Sequence, residues 1–112
     1  MTAETAELIL NSPFADEAHK KHLEYHKQNG SESILYGEIK YADWYHMMPV
    51  VIKIEKAGYH VNILGNTCSI YDEPFRRVGE GYRKSTVGTD KQTAVLNAIV
   101  EFIKWYNETK QI

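Results

Sequence analysis

The chain has a single cysteine, Cys68, in 112 residues. This excludes an intramolecular disulfide and any metal cage made of thiolates alone, and it points to a reducing compartment. No apolar run approaches the ~20 residues of a membrane span, and the opening stretch MTAETAELIL has neither a basic leader nor the apolar core of a signal peptide. A cytoplasmic location without membrane contact is therefore expected. An excess of positive charge is also missing: 13 Lys and Arg stand against 15 Asp and Glu. The resulting net charge of −2 argues against the overall basicity of most nucleic-acid binders.

What is present is an ordinary globular composition, 43% hydrophobic and 25% charged, enough for one core and one domain over residues 1–112. The charge is unevenly placed. Residues 1–55 carry five Lys and Arg against nine Asp and Glu, whereas residues 56–112 carry eight against six. The densest basic run, Arg76, Arg77, Arg83 and Lys84, is interleaved with Phe75 and Tyr82. Cations mixed with aromatics suit an acidic protein surface, or phosphates and bases.

Along the chain, Ser12-Pro13 predicts a helix start, with the helix running to about Asn29 and stopped by Gly30. Residues 33–41 alternate as a strand. Residues 50–55 and 59–63 predict a β-hairpin turned at Ala57-Gly58. Gly65-Asn66 makes the next turn and residues 67–71 the next strand, while residues 75–78 and 82–87 form a last hairpin or a loop. A long amphipathic helix opens at Thr89, with Gln92 three residues on as in a capping box, and runs to about Glu108. Its stripe of Leu96, Ile99, Ile103 and Tyr106 is widened by Val95, Phe102 and Trp105. The helix is then either sunk in the core or shared with a second copy as a homo-oligomer. The predicted class is α+β: an N-terminal helix, an antiparallel sheet of three to five strands, and a C-terminal amphipathic helix packed on the sheet.

Chemistry is sparsely signalled. His19, His22 and His26 are spaced by three and four on a predicted helix, a pattern that could hold a metal ion. Lys20, Lys21 and Lys27 surround them with repelling charge, so a solvated helix face is the reading and no metal is expected. Cys68 lies between Thr67 and Ser69 in an alternating run, the setting of a small core filler rather than a nucleophile. Asp72-Glu73 precedes Pro74 as turn chemistry. Gly79-Glu80-Gly81 lacks the lysine and hydroxyl of a phosphate loop. Trp44-Tyr45-His46-Met47-Met48 places large contact-capable side chains in a predicted connection, so Trp44 and Tyr45 join Phe75, Arg76, Arg77, Tyr82, Arg83 and Lys84 as candidate partner-binding residues.

The run from Pro49 to Ile63, followed by Gly88-Thr89-Asp90-Lys91-Gln92-Thr93-Ala94-Val95-Leu96-Asn97-Ala98-Ile99, resembles antitoxins of the HicB type, which pair a β-hairpin with a helix opened by a Gly-Thr and carrying Asn-Ala. The likeness covers under half the chain and lacks that family's proline-glycine strand end. Val78-Gly79-Glu80-Gly81 ahead of a closing helix is similar to the last strand of double-stranded RNA-binding domains, with the lysine-rich helix start reduced to Lys91. Both resemblances imply a fold type more than a function. The expected function is a non-enzymatic binding protein without cofactor. The kind most favoured is a small stoichiometric inhibitor or adaptor, as phages and other mobile elements encode against host defence or nucleic-acid-processing proteins. The alternative is a nucleic-acid- or nucleotide-binding regulator using residues 75–84.

Overall fold

A computed structural model describes residues 3–41, 43–72 and 82–110. The element order is α1 (Ala3–Leu10), α2 (Glu17–Gln28), α3 (Glu32–Glu38), α4 (Trp44–Lys56), β1 (His60–Leu64), β2 (Thr67–Tyr71), β3 (Arg83–Val87) and α5 (Lys91–Lys110). The strands form an antiparallel sheet in the order β1-β2-β3, closed on one side by α5. The α+β class and the C-terminal helix on the sheet are as expected. No helix among the described residues is long and apolar enough to cross a membrane.

The first half departs from the expected elements. Ser12 does not open a helix. Its buried hydroxyl donates to the Ile9 carbonyl at 2.7 Å and accepts from the Phe14 amide at 3.2 Å, which holds the bend after α1, and α2 starts later, behind extended Asp16. Residues 32–38 form a helix where a strand was predicted. Leu35 and Tyr36 are buried and Ile39 follows at helical spacing, while Ile34 is exposed. A short apolar run carries both periods, and packing against α1 and α2 selects the helical one.

The correction at α4 is larger. Residues 50–55, expected as the first arm of a hairpin, lie in a 13-residue helix with Pro49 inside it. Read as a strand, Val50, Ile52 and Ile54 share one side; in the structure Val50 and Ile54 are buried and Ile52 is 46% exposed. Met47, Val50, Val51 and Ile54 instead form one buried helical stripe. Their burial outweighs both the β preference of the branched residues and the missing proline amide. The hairpin half of the HicB-type resemblance is therefore not a hairpin.

The hairpin that does form is β1–β2. Gly65, at φ +59°, turns the chain in a conformation that a side chain would oppose, and Leu64 pairs with Thr67. β3 pairs with β2 from Thr67–Val87 to Tyr71–Arg83; the other predicted arm, residues 75–78, lies outside the described residues. At the start of α5 the cap sits one residue later than predicted: the Asp90 carboxylate accepts the Thr93 amide at 2.7 Å, which lowers the Asp90 pKa. Gly88 lets the chain pass close to α5, because a Cβ there would collide with the Thr93–Ala94 backbone.

The core lies between the sheet and the helices. Val95, Ile99, Phe102 and Ile103 of α5 are fully buried over Cys68 and Ile70 of β2. Aromatics surround Phe102 edge-on: Phe14 at 5.2 Å, Tyr59 at 4.7 Å and Tyr82 at 5.3 Å between ring centroids. Most of the wide apolar surface of α5 is thus buried inside the protomer, with Trp105 and Tyr106 half-buried at its edge. Of the two sequence readings of this helix, sunk in the core or shared with a second copy, this burial agrees with the first.

Candidate functional site

The two faces of the sheet have different surroundings. Val61, Ile63, Cys68, Ile70, Lys84 and Thr86 point toward α5: Thr86 Oγ1 donates to the Ala94 carbonyl at 2.7 Å, and Lys84 Nζ pairs with Glu101 at 3.0 Å. The alternate residues make the opposite face, which no described helix covers. Its nine positions form three rows in cross-strand register. His60, Tyr71 and Arg83 make the first, Asn62, Ser69 and Ser85 the second, and Leu64, Thr67 and Val87 the third.

Each row has its own chemistry. In the first, the His60 ring stacks on Tyr71 at 5.2 Å with 24° between planes, and the Arg83 guanidinium lies 5.9 Å from the centre of the same ring. In the second, Ser69 and Ser85 share a 2.7 Å hydrogen bond. In the third, Leu64 and Val87 are 76% and 70% exposed on either side of Thr67, an apolar end for the surface. None of the nine residues is acidic, in a chain whose net charge is negative. The face therefore offers a cation and an aromatic ring at one end, hydrogen-bonding groups in the middle and apolar contact at the other. This is the mixture that protein interfaces use.

The candidate residues from the sequence are separated by the fold. Arg83 and Lys84 point to opposite faces, as successive residues of a strand must. Lys84 is engaged by Glu101. Tyr82 is a core residue, buried against Phe102 and Trp105, and burial pushes its hydroxyl pKa up to about 12. Trp44 packs half-buried against the core, while Tyr45 is 86% exposed. Phe75, Arg76 and Arg77 lie outside the described residues, in the connection leading from Tyr71 to Arg83. His60, Leu64, Tyr71 and Val87 were not anticipated. The two-residue turn at Gly65-Asn66 was the signal that could have found the first three, since it pairs Leu64 with Thr67 and so His60 with Tyr71, whereas Val87 is placed by the β2–β3 pairing.

The three histidines of α2 have separate environments. His26 Nδ1 lies 2.9 Å from Ser31 Oγ, His22 is exposed, and His19 Nδ1 lies 3.3 Å from the hydroxyl of fully buried Tyr41. Burial lowers the His19 pKa, opposed by Asp16 and reinforced by His46 and His22. Lys21, His22, Tyr25 and His26 line an open depression of about 430 Å³. Among the described residues, no three His, Cys, Asp or Glu side chains come together as metal ligands. Cys68 is fully buried and its pKa is pushed up to about 11, so it stays a protonated thiol at neutral pH. Comparison with protein-family models, curated proteins and solved structures finds no match for this chain.

Proposed function

We propose that this chain is a non-enzymatic binding protein, a small stoichiometric inhibitor or adaptor of the mobile-element type, that holds a protein partner on the open face of its sheet. The observation that carries the reading is the surface made by His60, Tyr71 and Arg83 at one end and Leu64 and Val87 at the other. A partner suited to it presents a carboxylate toward Arg83 and an apolar side chain toward Leu64 and Val87. Tyr and Arg are the residue types that most often dominate binding energy, and here they are held by strands whose opposite face is anchored in the core. Blocking a host protein needs no more than such a surface.

The test is affinity capture of the tagged protein from its native or host cells, with and without nuclease treatment, followed by Arg83→Glu and Leu64→Glu. The expected result is one stoichiometric protein that survives nuclease and is lost from both variants, while their melting temperatures stay near that of the unmodified chain. A complex retained by both variants would overturn the assignment of this face. A second reading, nucleic-acid binding, is favoured by the Tyr71 ring set between His60 and Arg83, a stacking and phosphate-binding combination. It predicts captured nucleic acid in place of protein, and an affinity falling steeply with salt.

A further inference from the structure

The two edges of the sheet are finished differently. The Asp72 amide donates to the Tyr82 carbonyl at 2.8 Å and the Gly88 amide to the Asn66 carbonyl at 3.0 Å, which fixes the direction of every backbone group between them. Cys68 and Ile70 bond to β3, whereas Thr67, Ser69 and Tyr71 bond to β1. The N–H and C=O groups left on the outer edges are those of Arg83, Ser85 and Val87 on β3, and of Val61 and Ile63 on β1. The β3 edge is guarded: Arg83 and Lys84 charge the strand, and Asn97 of α5 donates to the Val87 carbonyl at 3.4 Å. β1 has no such device. His60–Leu64 contains no lysine, arginine, carboxylate or proline, and all five residues pair with β2 without a bulge. Among the described residues, nothing bonds to the outward backbone groups of Val61 and Ile63.

We propose that a second copy of this chain pairs along that edge, β1 against β1 and antiparallel, about a two-fold axis at Asn62. Unpaired N–H and C=O groups in strand geometry are matched by another strand, and β1 is complementary to itself, as a two-fold interface must be. With Asn62 at the centre, Val61 and the partner's Ile63 exchange a pair of hydrogen bonds, and the symmetry repeats the pair, so every outward group of both residues is satisfied. On the helix side, Val61 and Ile63 are half-buried at the rim of the core. Each gains an apolar neighbour there. On the open side Asn62 faces the partner's Asn62, and a side-chain amide can both donate and accept; exposed His60 faces the partner's Leu64. None of the five positions brings like charges together. A segment of another protein would have to supply from its own sequence the pairs that β1 supplies to itself. A single pair of five-residue strands is at the low end of interface sizes, so the dimer forms with rising concentration. It joins two three-stranded sheets and makes their open faces one continuous surface, but the pairing does not depend on what that surface binds.

Sedimentation velocity on the full chain, from low micromolar to near-millimolar concentration, tests the proposal without any other protein. The expected result is a monomer–dimer equilibrium, weakened about tenfold or more in Asn62→Lys, which sets like charges opposite each other at an exposed position. An equimolar mixture of Asn62→Lys and Asn62→Asp should dimerise again, and Ser85→Lys, on the guarded edge strand, should leave the equilibrium unchanged. Cysteine variants read the direction. Asn62→Cys lies at a pair without hydrogen bonds, whose Cα atoms approach to about 4.5 Å, and should form a disulfide dimer under mild oxidation. Leu64→Cys should not, because antiparallel pairing sets it roughly 14 Å along the strands from its own copy, whereas parallel pairing would place the two side by side. An unmodified chain that stays monomeric throughout overturns the dimer, and an Asn62→Lys chain that dimerises equally well removes β1 as its interface. Equal crosslinking of the two cysteine variants overturns the antiparallel register.

Discussion

Helices α4 and α5 each carry more apolar surface than one stripe needs, and they end in different situations. Around α5, Phe14, Tyr59 and Tyr82 come from three different connections to pack against Phe102, and most of the apolar width is buried, with Trp105 and Tyr106 half-buried at its edge. Around α4 the core takes Met47, Val50, Val51 and Ile54, while Tyr45, Met48 and Ile52 stay in solvent. An apolar excess on a helix is thus no sign of an interface until the rest of the chain has had its chance to cover it. The helix that looked either sunk or shared from its sequence is largely covered internally, and the segment that looked like a strand supplies the outer stripe of α4.

The comparison can be broken at its strongest point first. Phe102→Ala is expected to cost about 3–5 kcal/mol, the range for emptying an aromatic site in a packed core, measured by chemical denaturation. Within α4, Ile54→Ala should cost about 2–5 kcal/mol, and Ile52→Ala, two residues earlier, should stay within about 0.5 kcal/mol. Equal costs for the two isoleucines would mean that both sides of α4 are covered within the protomer.

Acid sharpens the comparison where α4 meets α2. His19 lies between Tyr41 and His46, its folded-state pKa below the ordinary value of 6.5 because burial disfavours the imidazolium. The unfolded chain then binds the extra proton first. The stabilisation is complete above about pH 6.5 and is lost as pH falls toward the lower folded-state value. A melting-temperature series across this range should show the decline, and His19→Gln should flatten it; an unchanged slope would remove His19 as its source. Under the sheet, the Cys68 thiol should resist alkylation at pH 8 in the native protein, with roughly one part in a thousand ionised, and react fully in denaturant. The smallest effect belongs to Lys84→Met. The exposed pair with Glu101 is worth about 0–1 kcal/mol, so a measured loss well beyond that would show that the inner edge of β3 depends on charge more than on packing.

How much was legible follows from how local each determinant is. The Gly65-Asn66 turn, the strand after it, the core placement of Cys68 and the closing helix all rest on short-range signals: a residue tolerant of positive φ, clean alternation, and a long 3.6-residue period. Residues 33–41 and 50–55 were misread because a few branched and aromatic residues in a row fit either period. Which one holds depends on neighbours far away in the chain. Candidate residues 82–84 were legible as a group but not as individuals, because the strand sends Tyr82 into the core, Arg83 to the open face and Lys84 to Glu101.

By itself the sequence determined the α+β class, the single core, the helix that closes the sheet and the turn that sets the first strand pair, since each follows from backbone preference and hydrophobic period over a few residues. Only the tertiary structure decided that α4 is a helix despite Pro49, that α5 is covered and the outer stripe of α4 is not, and that His60, Tyr71 and Arg83 share one row. Those outcomes depend on which surfaces meet, and burial against distant partners outweighs the weak local preferences of the segments involved.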